Sequence, residues 1–304
     1  MVEGRISVII PVYNAYEYLD KCISSVFSQT YGNIQVIIVN DGSSDASASV
    51  ISKYSSDSRI IYIEQENAGV SAALNRGMEL VDGEFITFLG NDDYIEPEMY
   101  ETMLNALKNA DADMSICDFN LVYEDGREDQ SRYSQMKNEV INLDIDLYRY
   151  FAKCCVNPKS NNYIWSRIYK TDTIMEAGVR FEKLPIGEDT LFNFKLLPHI
   201  HKAVFLENGF YNYLQRTSSV IHTVGNKRDL AKAYADQFDS LADYYKGNCF
   251  EQFISCLPII AFTRMRSTFF YSRLSGMSDE EILKSMVDNF NGRQIADYLI
   301  GSKT

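Results

Sequence analysis

The first hundred residues alternate short apolar runs with amphipathic helical stretches, joined by connectors of only a few residues. The runs at residues 6–12, 34–39, 59–63 and 85–89 show little polar alternation, as expected of strands buried on both faces. Between them, Leu19, Cys22, Ile23, Val26 and Phe27 share one helical face, and Val70, Ala73, Leu74 and Met78 share another. A further helix runs through Val50 and Ile51. Asn14 is placed to cap the first helix, and Pro97 to open one carrying Tyr100, Met103, Leu104 and Leu107 inward. This order predicts an α/β fold with a mostly parallel sheet covered on both faces. Ligands of such sheets bind beyond the carboxyl ends of the strands. The places to look are therefore the loops at Tyr13-Asn14, at Asn40-Asp41 and at residues 90–93.

The signals then become mixed, with strands expected at 114–122 and 203–213 and helices at 145–152 and 189–197. After residue 224 they are nearly all helical: Leu230, Tyr234, Phe238, Leu241 and Tyr245 fall at helical spacing, and further helices are expected at 259–274 and 280–290. No repeat or low-complexity linker interrupts the chain. The expected division is an α/β domain over 1–220 and a helical region over 221–304.

With 304 residues, of which 46% are hydrophobic and 23% charged, the chain has material for such a domain plus an appendage. A net charge of −13 repels phosphate backbones, so no nucleic-acid partner is expected. The six cysteines lack C-x-x-C spacing and suggest neither a zinc site nor a disulfide framework. No leader-like segment and no run of about 18 apolar residues is present. These features point to a cytoplasmic protein.

Two strand ends carry acids. In Phe88-Leu89-Gly90-Asn91-Asp92-Asp93-Tyr94, carboxylates directly follow a buried strand. Mg2+ and Mn2+ favour such oxygens and keep positions for substrate phosphates; the plainer alternative is a solvated turn before the next helix. Asn40-Asp41-Gly42-Ser43-Ser44-Asp45 is ordinary turn and capping chemistry, although a carboxylate there could accept a base N–H.

Together with Ile9-Ile10-Pro11-Val12-Tyr13-Asn14 and Asn67-Ala68-Gly69-Val70-Ser71, these segments resemble, in order and interval, the inverting GT-A glycosyltransferases of family 2. The likeness continues at Trp165-Ser166-Arg167-Ile168-Tyr169, Gly187-Glu188-Asp189-Thr190-Leu191-Phe192 and Tyr211-Asn212-Tyr213-Leu214-Gln215-Arg216, and fades beyond about residue 220. It implies a GT-A, nucleotide-sugar-binding, Rossmann-like fold with a C-terminal helical extension. The implied reaction moves a hexose or N-acetylhexosamine from a UDP-sugar to a hydroxyl of a glycan or lipid-linked acceptor. Pro11, Val12 and Tyr13 would line the base and ribose pocket, with Asn67 also on the donor side, and Asp41 would read the base edge. Asn91 and Asp92 would belong to the D-x-D element, with Asp92 holding Mn2+ or Mg2+ against the diphosphate and Arg216 nearby. Trp165 and Glu188 would wall the sugar or acceptor, and Asp189 would be the general base. An inverting transfer needs such a base to take the acceptor proton. The start of a helix would lower its pKa, and the plainer alternative is that Glu188-Asp189 only caps that helix.

Two positions depart from the pattern. Gly90 stands where the first acid of the D-x-D element usually lies, and Leu74 stands where Arg is frequent, with Arg76 two residues on at the helix surface. Loss of the first acid raises a second reading, a weakened glycan-binding or complex-forming relative. A nucleotidyltransferase is disfavoured, because Pro11-Val12-Tyr13-Asn14 has neither the glycines nor the lysine of a triphosphate loop. His222 is a further candidate metal ligand. In the tail, Ile259, Ile260, Phe262, Phe269, Phe270 and Tyr271 interleave with Arg264, Arg266 and Arg273. Such a helix can lie on a membrane surface or pack on the catalytic domain or on a second subunit of a homodimer.

Overall fold

In the computed structural model, residues 1–129, 137–156, 162–216, 229–274 and 276–300 are described. Among these residues ten strands form one mixed sheet: β1 (Val2–Val12), β2 (Ile34–Asp41), β3 (Ile60–Gln65), β4 (Gly83–Phe88), β5 (Tyr94–Ile95), β6 (Met114–Tyr123), β7 (Glu128–Asp129), β8 (Glu139–Asn142), β9 (Arg167–Lys170) and β10 (Lys202–Gln215). Their order is β3-β2-β1-β4-β9-β6-β10-β5, with β7 on β6 and β8 on β10. The first four strands pair in parallel, in register from Ile6 opposite Ile34 to Val12 opposite Asn40 across β1 and β2. β9 runs antiparallel between β4 and β6. That strand escapes sequence reading because it is four residues long and starts with Arg167, which is fully buried.

Helices α1 (Tyr16–Phe27), α2 (Ser47–Ser52), α3 (Val70–Met78) and α4 (Met99–Ala110) connect the early strands. α5 (Leu143–Phe151), α6 (Thr171–Ala177) and α7 (Glu188–Leu196) follow, then α8 (Asp229–Gly247), α9 (Glu251–Ile254), α10 (Leu257–Leu274), α11 (Asp279–Phe290) and α12 (Gln294–Ile300). Two caps differ from expectation. α4 begins at Met99, two residues after Pro97. Asn14 does not cap α1: it has a φ of 48°, and its side chain accepts from the Ser44 N–H, while Ala15 occupies the cap.

Side chains alternate across β1, so one strand feeds two cores. Val8, Ile10 and Val12 pack with Leu19, Ile23 and Val26 of α1. Ile9 faces the other way, into a core that runs from Ala73 and Leu74 of α3 to Phe238, Leu241 and Tyr245 of α8 and Ile260 of α10. The helical tail thus shares a core with the sheet. The expected boundary at 220 lies outside the described residues. Among described residues no helix is long and apolar enough to cross a membrane. The cysteines whose side chains are described are free thiols; Cys155 falls outside that set.

Candidate active site

A cleft of about 520 Å³ opens at the carboxyl ends of β1 and β4. Its wall includes Pro11, the turn at residues 90–93, Trp165, the approach to α7 with Glu188 and Asp189, and Arg216 just past β10. Residues from well-separated stretches of chain meet here, partly because the sheet brings strand ends to one side.

The turn after β4 is held from three directions. Asn91 donates from Nδ2 to the Pro11 carbonyl at 2.8 Å, tying the turn to β1. Asp92 forms an ion pair with Arg216, Oδ2 to Nη2 at 2.6 Å. Asp93 is buried and accepts from the Tyr211 hydroxyl at 2.5 Å and the Leu214 N–H at 2.8 Å. Burial raises the Asp92 carboxyl against the pull of Arg216, and burial together with the Asp92 charge raises Asp93 well above the carboxylate range. The buried Arg216 Nε has no hydrogen-bond partner among the described residues. A donor left unpaired beside the cleft fits an incoming phosphate oxygen.

Among described residues no group of three or more His, Cys, Asp or Glu side chains is arranged to hold a metal ion, and His222 lies outside them. Asp92 alone suits Mg2+ or Mn2+ only when phosphates complete the shell, which is the usual way such ions sit in phosphate sites. The donor set therefore fits a metal arriving with a diphosphate, not a free-ion site.

On the other side of the cleft, Gly187 adopts φ 75° and α7 starts at Glu188. Asp189 accepts from the Thr190 N–H at 2.6 Å. Desolvation, and then the Asp189 charge, pushes Glu188 up to about 7. Asp189 is itself raised by burial, against the hydrogen bonds from Thr190 and the charges of Arg264 and Arg167. The helix start was expected to lower its pKa; burial outweighs that dipole. A raised folded-state pKa means the folded chain binds the Glu188 proton more tightly than the unfolded chain. The resulting stability is present below about pH 4.5 and is lost as pH rises through about 7. Glu188→Gln should therefore raise the thermal midpoint at pH 8 and leave it unchanged at pH 4; equal shifts at both pH values would rule out the buried charge as the cause.

Trp165 stacks on Tyr211 at 4.1 Å and on Tyr163 at 4.6 Å, with Phe119 edge-on at 5.0 Å. Its indole is thus fixed as a flat apolar plate in the cleft wall. Asp41 is 2% exposed and accepts from Gln65 Nε2 (2.7 Å) and the N–H groups of Ala68 and Gly69 (2.9 and 2.8 Å). Asn67 donates to the Asp41 carbonyl. Together they order the loop entering α3, whose Val70 reaches the cleft. Tyr13 is exposed at the end of β1. Val12 needs a correction: its side chain is wholly within the α1-facing core, because strand alternation points it away from the strand-end surface, so it offers only backbone.

A family model for glycosyl transferase family 2 matches residues 7–169. The chain belongs to that family. GlyA of Streptococcus pneumoniae, a glycosyltransferase, is 33% identical over 225 residues, covering 72% of this chain and 32% of GlyA. EpsH of Bacillus subtilis is 31% identical over 232 residues, covering 75% of this chain and 65% of EpsH. The chain thus spans about a third of the first relative and less than two thirds of the second. In fold it is similar to S. aureus TarS 1-349 in complex with UDP-GlcNAc, with a TM-score of 0.64 at 18% identity over 98% of this chain and 92% of that one.

In this member of the family, the space of the missing first acid is filled. A Cβ on Gly90 would lie 2.5 Å from Asp93 Oδ2, a carboxylate that Tyr211 and Leu214 hold in place. Gly90→Ala should cost about 1–3 kcal/mol in a urea titration, as overpacking does. Restoring the acid with Gly90→Asp should lower turnover; a gain would show that the turn has room and lacks only the carboxylate.

Sequence reasoning allowed for the tail packing on the catalytic domain, as it does, but not for its lining the cleft. Leu230, Tyr234, Thr263, Arg264, Arg266 and Ser267 all line the cleft. α10 packs on α8, and the Arg264 guanidinium lies 5.5 Å from the ring of Phe194 and 5.4 Å from that of Tyr234. The aromatic–basic pattern was visible, but a helix pattern does not reveal which face meets a cleft built much earlier in the chain.

Proposed function

We propose that the protein is an inverting glycosyltransferase that moves a hexose or N-acetylhexosamine from a UDP-sugar to a hydroxyl of a glycan or lipid-linked acceptor. The observation that carries the proposal is that one cleft holds both the Asp92–Arg216 ion pair and the half-buried Glu188–Asp189 pair. The UDP-GlcNAc complex of TarS, which shares the fold, supports the donor class.

In this reading Asp189 takes the proton of the acceptor hydroxyl as its oxygen bonds to the anomeric carbon from the face opposite the leaving group. The bond from that carbon to the UDP oxygen breaks, and UDP departs with the electron pair. Arg216 pairs with the diphosphate through its unengaged Nε, and Asp92 would hold Mn2+ or Mg2+ there. The ion, when bound, would neutralise charge building on the leaving group. Trp165 borders the sugar with the indole edge that Tyr211 and Tyr163 leave free, while Tyr13, Asp41 and Asn67 serve the nucleoside side. Glu188, half-protonated near neutrality, can hydrogen-bond an acceptor hydroxyl from the same wall.

Incubation with a panel of UDP- and GDP-sugars and Mn2+, scored by released nucleoside diphosphate, tests this. UDP should appear with at least one UDP-sugar. Calorimetry should show Mn2+ binding at least about tenfold tighter when UDP is present, because phosphates complete its shell. A folded protein that releases nucleotide from no donor would favour the rival reading of a binding relative.

A further inference from the structure

The base pair Glu188-Asp189 depends on a turn that has little structure of its own. The N-cap Gly187 has φ 75° and no side-chain cap, and its carbonyl accepts from Leu191 at 3.0 Å to start α7. What holds this turn comes from the helical tail. Gln237 of α8 is 2% exposed and donates from Nε2 to the Ile186 carbonyl at 2.5 Å. The fit is close: a Cβ on Gly187 would lie 2.7 Å from Gln237 Nε2 and 3.0 Å from its Oε1. One turn along α8, the Ser240 hydroxyl donates to Glu182 Oε2 at 3.0 Å, so the same helix face also grips the segment where it approaches.

Gln237 Oε1 is buried and has no hydrogen-bond partner among the described residues. A buried unsatisfied carbonyl oxygen costs free energy that an apolar side chain of the same length would not. An amide at this position is therefore poor for stability, and its one bond goes to the residue before the N-cap of the catalytic helix. We propose that Gln237 is a positioning residue for the transfer reaction, holding the Ile186-Gly187 turn so that Asp189 projects into the cleft at the correct place. The inference rests on the reading of Asp189 as the base. It gives the C-terminal helices a part in catalysis: α8 completes the catalytic geometry that the sheet begins.

Gln237→Met keeps the length and removes the donor. It should lower kcat about ten- to a hundredfold, the usual cost of a misplacement near 1 Å, while KM for the donor and UDP affinity by calorimetry stay within about twofold of wild type. Gly187→Ala presses on the same joint from the other side and should give the same split between kcat and KM. A wild-type kcat in Gln237→Met, or parallel losses in kcat and UDP affinity, would overturn the inference. Should Gln237→Met fail to fold, Gln237→Leu, which also removes the donor, decides by the same criteria. Asp189→Asn separates the two levels of the argument. An inactive Asp189→Asn beside a fully active Gln237→Met rejects only the positioning role, whereas full transfer by Asp189→Asn rejects the base itself.

Discussion

Asp189→Asn is expected to lower the transfer rate by about 10²–10⁴-fold, the range a positioned general base contributes. The substitution is informative because it changes little else. The Thr190 N–H that bonds Asp189 Oδ1 at 2.6 Å can bond the amide oxygen of asparagine equally well. The turn at Gly187 and the start of α7 stay in place, so UDP affinity should not move. The Glu188 carboxyl is held up to about 7, and part of that rise comes from the Asp189 charge. Removing that charge should bring the Glu188 pKa down, which a carbon-13-labelled glutamate signal would report. A variant with undiminished kcat would remove Asp189 from the reaction and leave it as a helix-start residue.

The second large effect is expected at Asp92. Asp92→Asn should reduce kcat/KM by about a thousandfold, since a metal stabilising a leaving diphosphate contributes several kcal/mol. Two losses combine: the carboxylate that would hold the ion, and the partner of Arg216, whose guanidinium is 2.6 Å away in a largely shielded position. The residual rate should be insensitive to added Mn2+. Arg216→Lys should fall between this variant and wild type, because lysine keeps a charge but cannot bond Asp92 and a phosphate together through a planar fork. If Asp92→Asn keeps both its rate and its Mn2+ response, the metal must be held elsewhere.

Much of the site was legible in the chain. Acids close to the ends of apolar strands are conspicuous, and Asp41 and Asp92 stood out in that way, whereas Asp189 stood out at a helix start through the family pattern. Arg216 was legible only through its family pattern, and its pairing with Asp92 was not, because the two lie on loops 124 positions apart. The Asp93–Tyr211 bond was hidden for the same reason, and with it the cause of glycine at position 90. The antiparallel β9 was also hidden: four residues beginning with a buried arginine have neither the length nor the apolar character that marks a strand.

Local pattern determined the four parallel strands, their helices and the side of the sheet that bears the acids. These follow from side-chain periodicity and turn chemistry, which act over a few residues. Tertiary structure alone decided the rest. It closed the cleft with α8 and α10, placed Gln237 beneath the turn at Gly187, and raised Glu188 and Asp189 by desolvating them where a helix dipole would have lowered them. Desolvation and packing depend on everything that surrounds a group, and most of what surrounds these two acids lies far from them in sequence.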